Sequence, residues 1–143
     1  VPDLRRAVAL GVPDTFVNNF AVFGGINRAI RFIGACEAMG VGFWCYSPDT
    51  GIMNAAYMHV VAATQWIQEP SQTLFRWQTD DVIEEGPFRP KNGVVPVPEG
   101  PGLGVTLSPE KLKHAHQQFL DEGPVDHYSD PLVPGRYRRL PLD

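Results

Sequence analysis

The sequence predicts an α/β fold with a parallel sheet, and three observations support this expectation. Short β-branched and aromatic runs alternate with segments of helical apolar spacing through the first 66 residues. Glycine and proline contribute 14 residues each, which suits many tight connections rather than a helix bundle. The chain has 143 residues, 43% of them hydrophobic and 20% charged, which is typical of one folded domain and not of a disordered segment.

The first two elements are predicted as a helix followed by a strand. Residues 2–10 begin with a proline, carry two arginines and are followed by Gly11, which is typical of a short helix. Residues 14–18 form a β-branched and aromatic run, which predicts a strand. A turn is expected at residues 23–25, where a phenylalanine precedes two glycines.

The pattern then repeats with a helix, a strand and a further helix. Residues 26–39 carry apolar side chains at helical spacing, and Gly40 is a natural stop for that helix. Residues 41–45 are short, apolar and aromatic, so they predict a strand. A polar loop at residues 47–51 leads into residues 52–65, which are apolar nearly all round and predict a buried helix. Two parallel strands are an incomplete sheet, because such sheets need cover on both faces.

The second half of the chain has a different pattern. Residues 67–107 are rich in proline, glycine and short extended runs. A serine and a proline then begin a polar helix that is predicted to reach about Leu120. Residues 121–143 are expected to be irregular. We therefore expect two segments, 1–66 with the βα units and 67–143 with the remainder.

Charge and cysteine content exclude several classes of protein. Twelve basic and 16 acidic residues give a net charge of −4, which argues against non-specific binding of nucleic acid. No apolar run approaches the roughly 18 residues of a membrane span, and no signal-peptide pattern is visible. Two cysteines, Cys36 and Cys45, do not make a disulfide framework, so a reduced, cytoplasmic location is expected. Because the chain begins at Val1 rather than methionine, we expect a trimmed start or a piece of something longer.

The most distinctive stretch is residues 92–105, with the sequence NGVVPVPEGPGLGV. Its glycines Gly100, Gly102 and Gly104 can take positive φ, and Pro98 and Pro101 fix the turns. This stretch resembles the C-terminal signature of the enolase superfamily, in its mandelate racemase and glucarate dehydratase branch. The motif itself is expected to shape the backbone and not to perform chemistry.

The resemblance extends over most of residues 14–110. Further matches resemble the last barrel strands of acid-sugar dehydratases, the helix that follows them and, downstream, the arginine-bearing tail of glucarate dehydratases. In order, they are Phe23-Gly-Gly-Ile with Arg28, Cys36-Glu-Ala-Met-Gly40, Tyr46-Ser47, residues 56–64 and residues 136–141.

Enzymes of this superfamily abstract the proton α to a carboxylate, with Mg²⁺ stabilising the enediolate and a lysine or histidine as base. The resemblance implies the C-terminal portion of a modified TIM (β/α) barrel, with residues 67–143 returning across the barrel and capping it. The strands at 14–18 and 41–46 correspond to its sixth and seventh. A whole barrel takes roughly 250 residues. The Mg²⁺ ligands and lysine base are therefore expected on a longer N-terminal chain or subunit, in an oligomer that acts on a small carboxylate substrate.

The histidine of the family's catalytic dyad falls on Tyr46. Its aspartate falls on Asn19, or on Phe20 if the match is shifted by one residue. Tyrosine, with an ordinary pKa near 10, is a poor base at neutral pH, and asparagine does not titrate. An active enzyme would therefore take its base from the missing part. Two roles stay open for Tyr46, which either donates a hydrogen bond or proton to substrate or fills the barrel mouth.

Five further residues are predicted to contact substrate. Ser47 and Asp49 follow the seventh strand, where Asp49 and its neighbour Thr50 are equally suited to cap the next helix. Gln78 falls near a substrate-contacting histidine of glucarate dehydratases, and its amide would bind hydroxyl groups. Arg138 and Arg139 would hold a distal carboxylate through paired hydrogen bonds, although a basic tail is more often exposed to solvent.

Three other patterns are expected to have no catalytic role. Lys111 and Lys113 mimic the Lys-x-Lys of the family, but residues two apart do not share a helix face. His114 and His116 are also two residues apart, so they do not share a helix face on which they could bind one metal ion. His59 lies in an apolar helix and is expected to be a core histidine with a hydrogen-bond partner.

Two functions are consistent with these residues. The first is part of an acid-sugar dehydratase-like lyase that is active when a partner chain completes it. The second is a non-catalytic barrel-completing or regulatory subunit that has lost the dyad. A free-standing binding module is disfavoured, because two buried parallel strands alone would leave apolar surface and open edges exposed.

Overall fold

A computed structural model describes residues 2–11, 13–47, 49–73 and 78–123 of the chain. Every helix and strand predicted above is present, with ends that differ from the prediction by no more than two residues. A short 3₁₀ helix and a third strand were not predicted. The elements in order are α1 (Pro2–Leu10), β1 (Thr15–Asn19), the 3₁₀ helix (Phe20–Phe23), α2 (Ile26–Ala38), β2 (Gly42–Ser47), α3 (Gly51–Ala63), β3 (Gln72–Thr73) and α4 (Pro109–Glu122).

The three strands form one parallel sheet in the order β1-β2-β3. Phe16 of β1 lies opposite Phe43 of β2, and Val17 lies opposite Trp44. β3 continues the sheet on the far side of β2, where Gln72 and Thr73 pair with the last two residues of β2. The β-α-β order therefore gives the parallel sheet that the alternating pattern predicts.

The two faces of this sheet differ in burial. Phe43, Cys45 and Ser47 of β2 are at most 1% exposed. Trp44 lies between them in sequence and is partly exposed, and its register partner Val17 is 47% exposed. Because successive side chains of a strand point to opposite faces, the helices α1, α2 and α3 cover one face only. The other is called the uncovered face below.

The hydrophobic core lies between the covered face of the sheet and the helices α1, α2 and α3. Phe32 of α2 is its aromatic centre, with ring centroids 5.3 Å from Phe23, 5.7 Å from Phe43 and 6.1 Å from Phe16. Edge-on and tilted pairs of this kind each contribute about 0.5–1.5 kcal/mol beyond the burial of their area. The buried members of the core are Leu4, Phe20, Ala29, Ile33, Cys36, Phe43, Cys45, Ala56, Tyr57, Met58 and Val60.

The signature stretch at residues 92–105 has the backbone role that its glycines predict. Gly100, Gly102 and Gly104 have φ values of 136°, 66° and 69°. A Cβ at Gly104 would lie 2.8 Å from the carbonyl carbon of Pro98, so only glycine fits this turn. The Nε2 atom of His59 lies 3.1 Å from the carbonyl oxygen of Leu103 in the same stretch. The motif is therefore fixed to α3. The hydrogen-bond partner predicted for His59 is confirmed, but the residue is half-buried and lies outside the buried core.

The chain divides into two compact units, residues 1–108 and 109–143. Residues 67–108 belong to the unit that contains the sheet, whereas the sequence pattern places a boundary after residue 66. In the described part of the second unit, α4 reaches Glu122 and has no buried residue. Across the described ranges, no helix is both long and apolar enough to cross a bilayer.

Candidate functional site

Three polar side chains form a row at the carboxyl end of the sheet. Asn19 ends β1, Tyr46 lies opposite it in β2, and Gln72 lies opposite Tyr46 in β3. Register partners in a parallel sheet leave the same face, and this row leaves the uncovered face. Parallel α/β proteins place their functional groups at this end of their strands. The row is therefore the candidate site of this chain.

Asn19 has one side-chain atom committed to the backbone. Its Oδ1 atom accepts a hydrogen bond from the amide of Ala21 at 2.9 Å, which makes Asn19 the N-cap of the 3₁₀ helix. Asparagine is among the residues preferred at such caps because its oxygen satisfies an amide that the helix leaves unpaired. What Asn19 can offer a ligand is its side-chain NH₂ group, which is a donor and not a base.

Tyr46 is partly exposed, and no hydrogen bond joins its hydroxyl to the part of the chain that the structure describes. A phenol can donate one hydrogen bond and accept others. The hydroxyl of Tyr46 is therefore available to a ligand or to a further protein segment over the uncovered face. The two roles left open for Tyr46 remain predictions that activity would separate.

Ser47 follows Tyr46 and points to the opposite, covered face of the sheet. It is 0% exposed, and its Oγ atom donates to Oδ2 of Asp49 at 3.2 Å. The structure thus separates Ser47 from Tyr46 and makes Ser47 a support for the loop after β2. The substrate contact predicted for Ser47 stays a prediction, and this geometry gives it no direct path to the uncovered face.

Asp49 lies in the loop between β2 and α3 and is held by two amide side chains. Its carbonyl oxygen accepts hydrogen bonds from Nδ2 of Asn54 at 2.5 Å and from Nε2 of Gln78 at 2.6 Å. Asn54 is fully buried at 0% exposure. Gln78 therefore directs its NH₂ group at the loop and not at open solvent. The predicted role of Gln78 in substrate binding stays a prediction beside this observed contact.

Asp81 provides the side-chain acceptor at the start of α3. Its Oδ1 atom accepts from the amides of Gly51 at 2.8 Å and Val82 at 2.7 Å, and the residue is 5% exposed. Thr50 occupies the N-cap position without a side-chain hydrogen bond, and the Oδ2 atom of Asp49 is bonded to Ser47. Of the two caps that the sequence suggests, Thr50 therefore stands at the N-cap position, and Asp49 does not. No local spacing reveals Asp81, because it lies 30 residues from the amide that it binds.

Two buried groups strengthen the sheet beneath the candidate site. The hydroxyl of Tyr57 in α3 lies 3.3 Å from the carbonyl oxygen of Cys45 and 3.5 Å from that of Gln72. It thereby connects a helix to two neighbouring strands. Burial raises the pKa of Tyr57 to about 12 and the pKa of the Cys45 thiol to about 12. Both groups stay protonated at neutral pH and serve the fold.

A metal site does not form from the residues that the structure describes. No three side chains of histidine, cysteine, aspartate or glutamate in these ranges lie close enough to hold an ion. The residues do not fit a Mg²⁺ ion, so no chemical step is derived through a metal on them. Arg138 and Arg139, predicted to bind a distal carboxylate, lie outside the described residues.

Comparison with known proteins places most of the chain in one group. A family model described as enolase C-terminal domain-like matches residues 1–111. A probable glucarate dehydratase of Streptomyces coelicolor is 29% identical over 121 residues, which are 84% of this chain and 28% of that protein. A D-galactonate dehydratase of Xanthomonas axonopodis is 32% identical over 114 residues, which are 75% of this chain and 30% of the relative.

Two solved structures have a similar fold. An enolase from Mycobacterium smegmatis, complexed with tartrate, is 31% identical with a TM-score of 0.80, over 86% of this chain and 30% of the other. An enolase from Pseudomonas fluorescens with bound magnesium, potassium and tartrate is 28% identical with a TM-score of 0.80, over the same shares of the two chains. The chain thus spans less than a third of the length of each of these proteins.

Proposed function

This chain belongs to the enolase C-terminal domain-like family and has the fold of the C-terminal part of a TIM barrel, and from that premise we propose that it completes a carboxylate-processing lyase. The substrate would be a small hydroxy acid of the acid-sugar type, as the names of two relatives suggest. A preceding segment or a separate, longer chain would supply the remaining strands. The observation that carries this proposal is the polar row Asn19–Tyr46–Gln72 at the carboxyl end of the uncovered face.

The side chains on the uncovered face are arranged like the interior of a barrel. Val17 and Trp44 form an apolar layer, and Asn19, Tyr46 and Gln72 form a polar layer nearer the carboxyl ends. TIM barrels fill their interior with layers of side chains and perform chemistry at the carboxyl end. A partner that covers Val17 and Trp44 would bury apolar surface and leave the polar row at the mouth of the barrel.

The proton-abstracting base would come from outside this chain. A whole barrel takes roughly 250 residues, and this chain spans 28–30% of the relatives compared above. Neither Asn19 nor Tyr46 replaces the missing dyad as a base at neutral pH. Carboxylates of the other part would hold Mg²⁺, which the similar structure from Pseudomonas fluorescens contains. The ion would supply electrostatic stabilisation of negative charge on the substrate carboxylate.

The residues of this chain would act by orienting the substrate. The NH₂ group of Asn19 donates hydrogen bonds, and the Tyr46 phenol donates one to a hydroxyl or carboxylate oxygen. Tyr46 would give its proton to the departing hydroxide, which leaves as water. The base on the other part, protonated when it took the α proton, would then return a proton to the Tyr46 phenolate. This assignment needs a single base. It therefore agrees with the presence of Tyr46 and Asn19 at the positions where the family has its histidine and aspartate.

The second candidate, a non-catalytic barrel-completing subunit, is supported by the local commitments of the site. Asn19 caps a 3₁₀ helix, and Ser47 and Gln78 are bonded to the loop at Asp49. A chain that only completes a fold needs these contacts and needs no titratable group at its mouth. The two candidates predict the same complex and differ in whether Tyr46 matters for turnover.

The test begins with native mass spectrometry of the protein purified untagged from its source. A complex with a longer chain that carries Lys-x-Lys and three acidic strand ends supports barrel completion, whereas a lone folded species of 15.8 kDa contradicts it. The complex is then assayed on hydroxy acids with and without a chelator. Metal-dependent turnover that Tyr46→Phe slows about a hundredfold supports the lyase. A complex without turnover, or one whose turnover Tyr46→Phe leaves unchanged, supports the non-catalytic subunit.

A further inference from the structure

We propose that Asp81 is a positioning residue, which fixes the turn between β2 and α3 and thereby the placement of Tyr46. Its value to catalysis rests on the function proposed above. The positioning itself is a property of this chain and is tested below without any turnover.

The carboxylate of Asp81 reaches across the chain to the first amide of α3. Its Oδ1 atom lies 2.8 Å from the amide nitrogen of Gly51 and 2.7 Å from that of Val82. The first amides of a helix have no partner within it, so a buried one needs an outside acceptor. A carboxylate also interacts favourably with the positive end of the helix dipole. Asp81 thus anchors the start of α3 from a distant segment.

The loop between Tyr46 and Gly51 is held at a second point by the same segment. Gln78 donates from Nε2 to the carbonyl oxygen of Asp49 at 2.6 Å, three residues before Asp81. Asp49 in turn accepts from the hydroxyl of Ser47, which is the neighbour of Tyr46. Asp49 therefore connects Gln78, in the segment 78–82, to Ser47 at the end of β2.

Packing leaves little freedom at this contact. A Cβ at Gly51 would lie 2.4 Å from Cδ1 of Ile83 and 2.9 Å from Oδ2 of Asp81, so α3 begins directly against this segment. Ile83 is 0% exposed. The segment itself is held by the residues before α4, because the Val82 carbonyl accepts from the Ser108 amide at 2.8 Å. A rigid support is what a positioning role requires.

Three variants of the full chain test this role. Asp81→Ala removes the acceptor, Asp81→Asn keeps an accepting oxygen, and Asp80→Ala is the matched control. Asp80 is exposed and adjacent, and its Oδ1 atom accepts only the amide of Asp81 among the contacts found for it. Hydrogen exchange of the Gly51 amide reports the anchor. Fluorine NMR of 3-fluorotyrosine, assigned with Tyr46→Phe, reports the ring of Tyr46.

The expected result is specific to the accepting oxygen. Asp81→Ala should speed exchange of the Gly51 amide by about tenfold or more and should broaden or shift the Tyr46 resonance. Asp81→Asn and Asp80→Ala should stay within about threefold of the parent in exchange and should keep the Tyr46 signal. A purely structural residue would lower the unfolding midpoint and leave both local signals unchanged in the native state.

Two outcomes would overturn the proposal. One is an Asp81→Ala protein with parental exchange at Gly51 and a parental Tyr46 signal. The other is an Asp81→Asn protein that matches Asp81→Ala, because the accepting oxygen would then not be the cause. If Asp81→Ala does not fold, Asp81→Asn is compared with the control Asp80→Ala. Loss of the Tyr46 signal in Asp81→Asn but not in Asp80→Ala would contradict the acceptor role. None of these readouts requires the lyase activity. A complex without turnover therefore contradicts the proposed function, and it leaves the positioning role to be decided by exchange and fluorine NMR.

Discussion

Asn19 of β1 and Tyr46 of β2 are register partners, yet only the side chain of Asn19 forms a hydrogen bond within the described residues. The Oδ1 atom of Asn19 caps the 3₁₀ helix at 2.9 Å from the Ala21 amide, while the hydroxyl of Tyr46 has no partner in the described ranges. A committed and an uncommitted side chain in one register pair should respond differently to mutation. The first two predictions use that difference.

Removal of the side-chain amide of Asn19 should cost stability. We expect Asn19→Ala to lower the free energy of unfolding by about 1 kcal/mol, which is the usual cost of losing an N-cap. Asn19→Asp keeps an accepting oxygen and should retain most of the stability. Urea denaturation of both variants is the measurement. Equal losses in the two variants would show that the cap is not the cause.

Removal of the hydroxyl of Tyr46 should leave stability unchanged. Tyr46→Phe deletes a group without a described partner, so the free energy of unfolding should move by less than about 0.5 kcal/mol. In the completed complex, loss of a hydrogen bond or proton donor should reduce kcat by about a hundredfold. Steady-state kinetics on hydroxy acids provides the test. Unchanged turnover would assign Tyr46 to packing at the barrel mouth.

The signature stretch offers a matched pair of glycines. Gly102 and Gly104 have similar φ values, but only Gly104 has a backbone neighbour where a Cβ would stand. We expect Gly102→Ala to cost about 1 kcal/mol from backbone strain alone. Gly104→Ala should cost at least about 1–2 kcal/mol more, because it also collides with the Pro98 carbonyl. Chemical denaturation compares them, and equal costs would remove the close approach from the explanation.

Alkaline pH should destabilise the chain through two buried groups. Burial raises the pKa of Tyr57 from 10.0 to about 12 and that of Cys45 from 9.0 to about 12. The native chain therefore keeps protons that the unfolded chain releases, so stability present below pH 9 is lost as the pH rises toward 12. Each group adds a slope of up to about 1.4 kcal/mol per pH unit.

Urea denaturation between pH 8 and pH 11 measures this loss. Tyr57→Phe lacks the phenol that titrates and should give a flatter curve above pH 10. An unchanged slope in Tyr57→Phe would show that other groups dominate the alkaline loss. Cys45 should also resist alkylation by iodoacetamide at pH 8 until the chain is unfolded, because the thiolate is the reactive form.

The sequence was sufficient for features that depend on neighbours in the chain. Helical spacing predicted α2, and a segment that is apolar nearly all round predicted α3. The glycines of the signature stretch predicted positive φ at three positions that have it. The same reasoning missed β3, because Gln72 and Thr73 are too few residues to show a period. β3 forms because the edge of β2 offers hydrogen bonds to a passing segment.

The candidate site could be predicted only in part. Asn19 and Tyr46 were identified by resemblance, and their register confirms that they adjoin. Asp81 was missed, because its contact with Gly51 depends on how the chain after β3 returns over α3. The 3₁₀ helix had a local signal that was overlooked, since an asparagine followed by a short apolar run suits an N-cap.

The parallel sheet has a consequence for stoichiometry. In the described residues, β1 and β3 each pair with one strand and leave their outer edges open. A partner that bonds only one edge would offer a new open edge to the next molecule, and such addition propagates into filaments. A partner that spans both edges closes a ring and leaves nothing to extend. The barrel completion proposed above would therefore be self-limiting, with one complementary sheet for each copy.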